Sequence, residues 1–319
     1  MTIMEPVRVA IAQITPAVLD ASGCVERIVD AVARARTDGA TLVVFPETFI
    51  PVYPLWCDGG TLGRWGHEPS QHAHALLIDG SVEVPSPLTA RIGQAAVDHG
   101  CVVAVGVNER VGRTLYNAFL VFDREGRIVQ HRRKLVPTHG ERLVWKPGDA
   151  HDLAASDVGP AKVGGLICWE HWMPLPRQAL HDTGEEIHFA FWPMVREMYL
   201  LASRHYAFEG RCFVLAAGMI LRPGDFPDDW PLADEWTPDA DGLLLDGGSA
   251  IIGPDGQCLA GPVHGEETIL CADLDPAALT REAFTLDTSG HYARGDLFQL
   301  DVDRRRPRTA PSGDPGATS

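Results

Sequence analysis

The chain has 319 residues and a formal net charge of −16, from 27 lysines and arginines against 43 aspartates and glutamates. Hydrophobic residues make up 45% and charged residues 22%, which is ordinary for a globular protein and wrong for a disordered, collagen-like or coiled-coil chain. So acidic a chain argues against a nucleic-acid binder held by phosphate contacts, and no apolar run reaches the roughly 18 residues that a membrane span needs. Val7 to Ile14 alternates as a strand, with no basic and apolar leader before it. A helix follows from about Ser22, with Val25, Ile28, Val29 and Val32 on one face and Gly39 as its stop. Leu42 to Phe45 is a continuously apolar strand that ends abruptly at Pro46-Glu47. Ser86-Pro87 opens a second helix carrying Leu88, Ile92, Ala95 and Ala96, and Gly100 stops it. Cys101 to Val107 reads as a buried strand, and Tyr116 to Phe122 with Arg127 to His131 as a hairpin.

The second half repeats the pattern after an irregular stretch from Lys134 to Asp149. Lys162 to Ile167 is a strand ending at Cys168. Pro174 to Thr183 forms a helix, Ile187 to Phe191 a strand, and Val195 to Tyr206 an amphipathic helix. Cys212 to Ala217 is a strand, Ser249 to Ile252 and Gln257 to Ala260 form a hairpin, and Thr268 to Leu274 closes the series. Such alternation predicts mixed sheets covered by helices in one domain over residues 1–303. Arg222 to Asp241, rich in proline, tryptophan and acid, reads as a surface loop, a lid or a subunit contact. Residues 304–319 read as a disordered tail.

The cysteines number seven and form no C-x-x-C pair, so Cys101, Cys212 and Cys271 read as small buried hydrophobes in a reduced cytoplasm. Cys168 differs: it ends a strand and is followed at once by Trp, Glu and His. A thiolate nucleophile needs a nearby positive charge or base. Lys134 supplies the first in RRKLVPTHGERLVW, and Glu47 or Glu141 the second. Taken singly, a glutamate after a strand is ordinarily a solvated end, and a lysine in a basic run is ordinarily on the surface. Taken together, nucleophile, base and oxyanion stabiliser are the parts of acyl transfer.

The successive blocks FPETFIPVYP, RRKLVPTHGERLVW, CWEHWMPLPR, GGSAIIGPDGQCLAGP and GHYARGDLFQL resemble those of the nitrilase (carbon-nitrogen hydrolase) superfamily, and of its nitrilase branch in particular. The resemblance runs from Val7 to about Leu300. It implies an α/β fold, a four-layer α-β-β-α sandwich. It implies Cys168 as nucleophile, Glu47 as general base, Lys134 as stabiliser of developing negative charge, and Glu141 as the group that positions Lys134 and substrate. Tyr53, Trp145, Trp169 and Trp192 correspond to walls of the substrate site and suggest an apolar slot suited to an aryl or arylaliphatic group. The implied reaction takes a small-molecule nitrile to a carboxylic acid and ammonia, with some amide where the thiolate leaves first, and uses no metal and no organic cofactor. The implied assembly is a homodimer that builds larger spiral homo-oligomers, with neither nucleic acid nor membrane as partner. Thr48, Val52 and Pro176 depart from the family pattern and bear on substrate shape rather than on the reaction.

Alternatives from the same superfamily are an amidase or carbamoyl-amide hydrolase and a cyanide-converting enzyme. A catalytically silent scaffold is the non-enzyme reading. A zinc hydrolase is disfavoured because His67-Glu68-Pro69-Ser70-Gln71-His72 has one residue too many for H-E-x-x-H, and Pro69 is expected to break the helix. Neither a dinucleotide glycine fingerprint nor G-x-S-x-G is present.

Overall fold

The computed structural model describes residues 4–306. The alternating segment Val7–Gln13 is the first strand, β1. Helix α1, Ala21–Thr37, starts where the Asp20 carboxylate accepts the Gly23 N–H at 3.0 Å. Strand β2 is Leu42–Val44, α2 Glu68–Asp79 and α3 Pro87–His99. Reciprocal Ser86 and Thr89 hydrogen bonds cap α3, and Gly100, at φ 59°, ends it in the left-handed region that glycine reaches cheaply. Then come β3 (Val102–Val111), β4 (Thr114–Phe122) and β5 (Ile128–Arg133).

The second half holds β6 (Ser156–Asp157), β7 (Lys162–Ile167), α4 (Pro174–His181), β8 (Ile187–Phe191) and α5 (Glu197–Gly210). It continues through β9 (Phe213–Ala217), β10 (Ile220–Leu221), β11 (Leu245–Ile252), β12 (Cys258–His264), β13 (Thr268–Leu274) and α6 (Ala277–Ala283).

One sheet runs β13-β1-β2-β3-β4-β5; the other runs β10-β11-β9-β8-β7-β6, with β12 also paired to β11. The centre of each is parallel, β1-β2-β3 and β7-β8-β9, with antiparallel neighbours outside. Side chains alternate across the first sheet as a period of two requires. Ala10, Ala12, Val43, Phe45, Val103 and Val105 pack under α1 and α3. Val9, Ile11, Leu42, Val44, Val102 and Ala104 turn the other way and meet Val163, Leu166 and Phe189 of the second sheet. Phe119 of β4 stacks on Phe191 of β8 across the gap, ring centroids 4.6 Å apart. Helices α4 and α5 add Ala179, Leu180, Tyr206 and Ala207 to the same core. The layers are therefore α-β-β-α, as expected.

Several local expectations change. Pro69 does not prevent a helix: it sits in the first turn of α2, where its missing N–H has no partner to lose. Pro176 likewise lies in the first turn of α4. The β3–β4 hairpin turns at Gly112 and Arg113, so β3 extends beyond Val107. Cys271, on the edge strand β13, is only half-buried, whereas Cys101 and Cys212 are fully buried. The Arg222–Asp241 stretch, expected as a surface loop, a lid or a subunit contact, is partly buried. Phe226, Trp230 and Leu232 are buried, and Trp230 packs on Trp56 at 4.8 Å. Of the expected disordered tail, 304–306 lie within the described residues and 307–319 outside them. Arg304 Nε donates to the Leu153 carbonyl at 3.1 Å, and Arg306 Nε lies 3.4 Å from Asp149 Oδ2. No helix among the described residues is long and apolar enough to cross a membrane.

Candidate active site

Strand ends build the site. Glu47 follows β2, Lys134 follows β5 and Cys168 follows β7. The turn at Glu47 lies so close to β3 that a Cβ on Gly106 would collide with the backbone of Pro46, Glu47 and Thr48. The Glu47 N–H donates to the Trp192 carbonyl at 3.2 Å, which ties the two sheets together at this level. Cys168 itself takes φ 54°, a left-handed conformation that costs a non-glycine residue about 1–2 kcal/mol and bends the strand into the short turn Cys168–Trp172.

The basic run Arg132-Arg133-Lys134 is buried rather than on the surface. Strand alternation sends its members to opposite faces, and each has its own carboxylate. Arg132 grips Glu170 through two bonds of 2.7 and 2.6 Å, and Arg133 grips Glu109. Lys134 Nζ donates to Glu141 Oε2 at 2.7 Å and to Glu47 Oε1 at 3.1 Å. Glu141, in the turn His139–Leu143, also accepts the Thr138 N–H at 2.6 Å and the Tyr53 hydroxyl at 2.9 Å. Asn117 Nδ2 donates to Glu47 Oε1 at 2.7 Å, and Glu47 Oε2 is buried with no partner among the described residues. One carboxylate oxygen of Glu47, one of Glu141 and the Cys168 sulfur lie within 4.8 Å of one another.

The surroundings set the protonation states. Burial, with the Glu141 charge, raises Glu47 to about 7, against the pull of Lys134 and Asn117. Burial works against the Lys134 charge, but the Cys168 sulfur, Glu47 and Glu141 more than restore it and hold the ammonium well above the usual lysine range. Burial and the two carboxylates hold the Cys168 thiol well above its ordinary value, opposed by Lys134 and by the Trp169 N–H. At rest the thiol is protonated beside a carboxylate poised to take the proton, and Lys134 is a fixed cation bonded to that carboxylate. The Glu47–Glu141–Cys168 donor set has the makings of a metal site, but the Lys134 ammonium bonds to both carboxylates and stands where a cation would sit.

Glu170 braces this centre from behind. Besides Arg132 it accepts the N–H groups of Ile167 and Leu135, each at 2.7 Å, so one buried carboxylate fixes the residue before Cys168 and the residue after Lys134. Replacement of Glu170 by glutamine leaves Arg132 charged, buried and unpaired. We expect a stability loss of about 3–5 kcal/mol, read as a lower denaturant midpoint; a midpoint equal to wild type would contradict this bracing role.

A cavity of about 970 Å³ opens above the sulfur. Cys168, Glu141, Tyr53 and Trp169 line it, together with Trp172, Tyr199, Trp236, Asp58, Arg142, Arg196 and Glu235. Trp169 is 49% exposed and free to meet a ligand. Trp145 and Trp192, expected in the wall, lie behind it. Trp145 packs on Tyr53 and under Lys134, with its indole N–H donating to Asn108 Oδ1 at 2.7 Å. Trp192 is fully buried between His171 and Tyr199. Both shape the wall without lining it. His139 lines the cavity and has no bond to Glu141, whose oxygens are taken by Lys134, Thr138 and Tyr53. The pattern gave no sign of Trp236 or Glu235, which the 222–241 loop delivers to the cavity. Asn117, mid-strand in a buried run, was visible as an unexplained polar residue and would have been the one to find.

A fold and site of this kind place the chain among known proteins. The profile of the Carbon-nitrogen hydrolase family matches residues 8–283. The chain belongs to the carbon-nitrogen hydrolase family, in its nitrilase branch, and is a hydrolase of carbon–nitrogen bonds. It is 38% identical over 308 residues to an aliphatic nitrilase of Sinorhizobium fredii, covering 96% of this chain and 98% of that one. To a bifunctional nitrilase/nitrile hydratase of Nicotiana tabacum it is 38% identical over 299 residues, 90% of this chain and 82% of the relative. Among solved structures, a carbon-nitrogen hydrolase from Helicobacter pylori superposes with a TM-score of 0.67 at 18% identity, covering 92% of this chain and 97% of the other, and shares the fold.

Proposed function

We propose that this chain is a nitrilase that converts an organic nitrile and two waters into a carboxylic acid and ammonia through a covalent bond to Cys168. The observation that carries the reading is the convergence of Glu47, Glu141 and the Cys168 sulfur within 4.8 Å, with the Lys134 ammonium bonded to both carboxylates, next to a cavity that Cys168 and Glu141 line. The names of the nitrilase relatives support nitriles as the substrate class.

The steps follow from charge. Cys168 sulfur attacks the nitrile carbon as its proton passes to Glu47, and the π electrons of the triple bond move to nitrogen. Lys134 offsets that charge inside a dry site, where such stabilisation is largest. The proton on Glu47 is delivered to nitrogen and leaves a thioimidate. Glu47, again a carboxylate, takes a proton from water as the water adds to the carbon. Returned to nitrogen, that proton gives a tetrahedral adduct bearing hydroxyl and amino groups; Glu47 then passes the hydroxyl proton to nitrogen, the carbon–oxygen double bond forms, ammonia leaves and a thioester remains. A second water, deprotonated by the same carboxylate, releases the acid and restores the thiol. Glu141 holds Lys134 in place throughout.

Because Glu47 acts in its ionised form, kcat/KM is expected to rise with pH through about 7, the value to which burial raises this carboxyl. A flat profile between pH 5 and 8 would contradict that role. The substrate class is tested by ammonia release from paired nitriles and amides, aliphatic and aryl, with cyanide included and acid and amide products both quantified. Faster turnover of the nitrile in every accepted pair is the expected result. Faster turnover of every amide would make the protein an amidase.

A further inference from the structure

Behind Cys168 lies a buried polar chain that these steps do not use. The Cys168 carbonyl is 2.7 Å from His171 Nδ1, and His171 Nε2 is 3.0 Å from His188 Nε2. His188 Nδ1 is 2.8 Å from Glu185 Oε1, and the Tyr206 hydroxyl donates to Glu185 Oε2 at 2.6 Å. Every side chain in the series is buried. A carbonyl only accepts, so His171 Nδ1 carries a proton. Burial, and for His171 the neighbouring His188, push both imidazoles well below the usual histidine range, so each ring holds one proton. His171 Nε2 is then an acceptor, His188 Nε2 its donor, and His188 Nδ1 an acceptor in turn. Glu185 must supply the last proton, and burial raises that carboxyl to about 7. The bookkeeping admits one tautomer of His171.

The Cys168 carbonyl and the Trp169 N–H are the two ends of one peptide group, and the Trp169 N–H favours the charged form of the Cys168 sulfur. A donor on the oxygen of a peptide polarises its N–H and makes it a stronger donor, as in any chain of hydrogen bonds. We propose that His171 is a positioning residue that acts through the Cys168–Trp169 peptide to stabilise the Cys168 thiolate and to hold Cys168 at its left-handed φ of 54°. His188, Glu185 and Tyr206 fix the tautomer that makes this possible. The other charged or titratable groups around the chain are the Arg132–Glu170 pair and, on the α4 and α5 side, His181, Arg177, Glu209 and Cys212.

The proposal rests on the nucleophilic role of Cys168, but its test needs no nitrile. Iodoacetamide alkylates the thiolate as iodide leaves, and intact mass against Cys168→Ala in the full-length protein isolates this thiol. His171→Phe keeps a ring against Trp192 and removes the donor. It is expected to alkylate about tenfold more slowly at pH 7, the size of one bond to a charged group, with the midpoint of its alkylation–pH profile moved upward. His171→Asn, which keeps an N–H, is expected to stay near the wild-type midpoint. In turnover, kcat falls in the phenylalanine variant with KM unchanged. A purely structural role lowers the amount of folded protein without moving the midpoint. Should His171→Phe fail to fold, nitrogen-15 histidine spectra of the wild type carry the decision: the Nδ1–H form of His171 is expected, and the Nε2–H form overturns the proposal. An unmoved midpoint in His171→Phe, or an asparagine variant as slow as the phenylalanine one, overturns it equally.

Discussion

Cys168→Ala is expected to lower ammonia release from any accepted nitrile by a factor on the order of 10⁴–10⁶, the usual cost of removing a covalent nucleophile. No other side chain replaces it. Among the cysteines, Cys24, Cys57, Cys101 and Cys212 are buried, and Cys258 and Cys271 lie on β12 and β13 of the paired sheets, outside the cavity. The fold is expected to survive, because the thiol makes no side-chain hydrogen bond that ties one element to another. A thermal midpoint within about 2–4 °C of wild type corresponds to about 1 kcal/mol in a chain of this size. Substantial residual turnover, at more than a hundredth of the wild-type rate, would show that sulfur is not the attacking atom.

Lys134→Met has a second large effect, for a different reason. It removes the charge that meets the developing anion, and it leaves Glu47 and Glu141 facing each other in a dry site. Two carboxylates so placed do not both stay ionised. The site takes up a proton, and the base is lost together with the electrophile. A fall in kcat/KM of about 10³-fold or more is expected, beyond the cost of one oxyanion donor. Breaking a buried pair by removing one partner also costs about 3–5 kcal/mol of stability. The sign of its pH dependence follows from linkage. Burial already raises Glu47 in the folded chain and Lys134 opposes that rise, so without the ammonium the folded state binds more protons and the stability deficit shrinks as pH falls. Denaturant midpoints at pH 5 and pH 8 check this, and a deficit that is larger at pH 5 would contradict it.

The sequence made the centre legible because its members sit at strand ends. An apolar run that stops at Pro46-Glu47, and another that stops at Cys168, each put a reactive group just past the carboxyl end of a strand, where α/β proteins place their chemistry. Lys134 was harder to read, since three adjacent basic residues resemble a solvated face. Its burial depends on partners distant in the chain, with Glu170 lying 38 residues from Arg132. Long-range pairing of that kind leaves no periodic trace. The aromatic residues divide for a similar reason. Trp169 follows Cys168 directly and reaches the cavity with it, and Tyr53 lines the cavity with its hydroxyl on Glu141. Trp145, close to Glu141 in the chain, and Trp192, after β8, have their indole N–H groups satisfied inward, by Asn108 and Ser203, and the rings follow. The acids and prolines of the 222–241 loop read as a surface loop, a lid or a subunit contact. Its aromatic residues instead collect on Trp56 and bring Trp236 to the substrate side, a packing outcome that composition does not specify.

The bond between substrate and sulfur is what the whole account stands on, and it can be trapped. An accepted nitrile is mixed with wild-type enzyme, quenched in acid during turnover, and the protein is digested and weighed peptide by peptide. A peptide carrying Cys168 is expected to gain the mass of the nitrile, or of the nitrile plus water less ammonia, and Cys168→Ala is expected to gain neither. An adduct on any other residue, or rapid turnover with no adduct at any quench time, would contradict it.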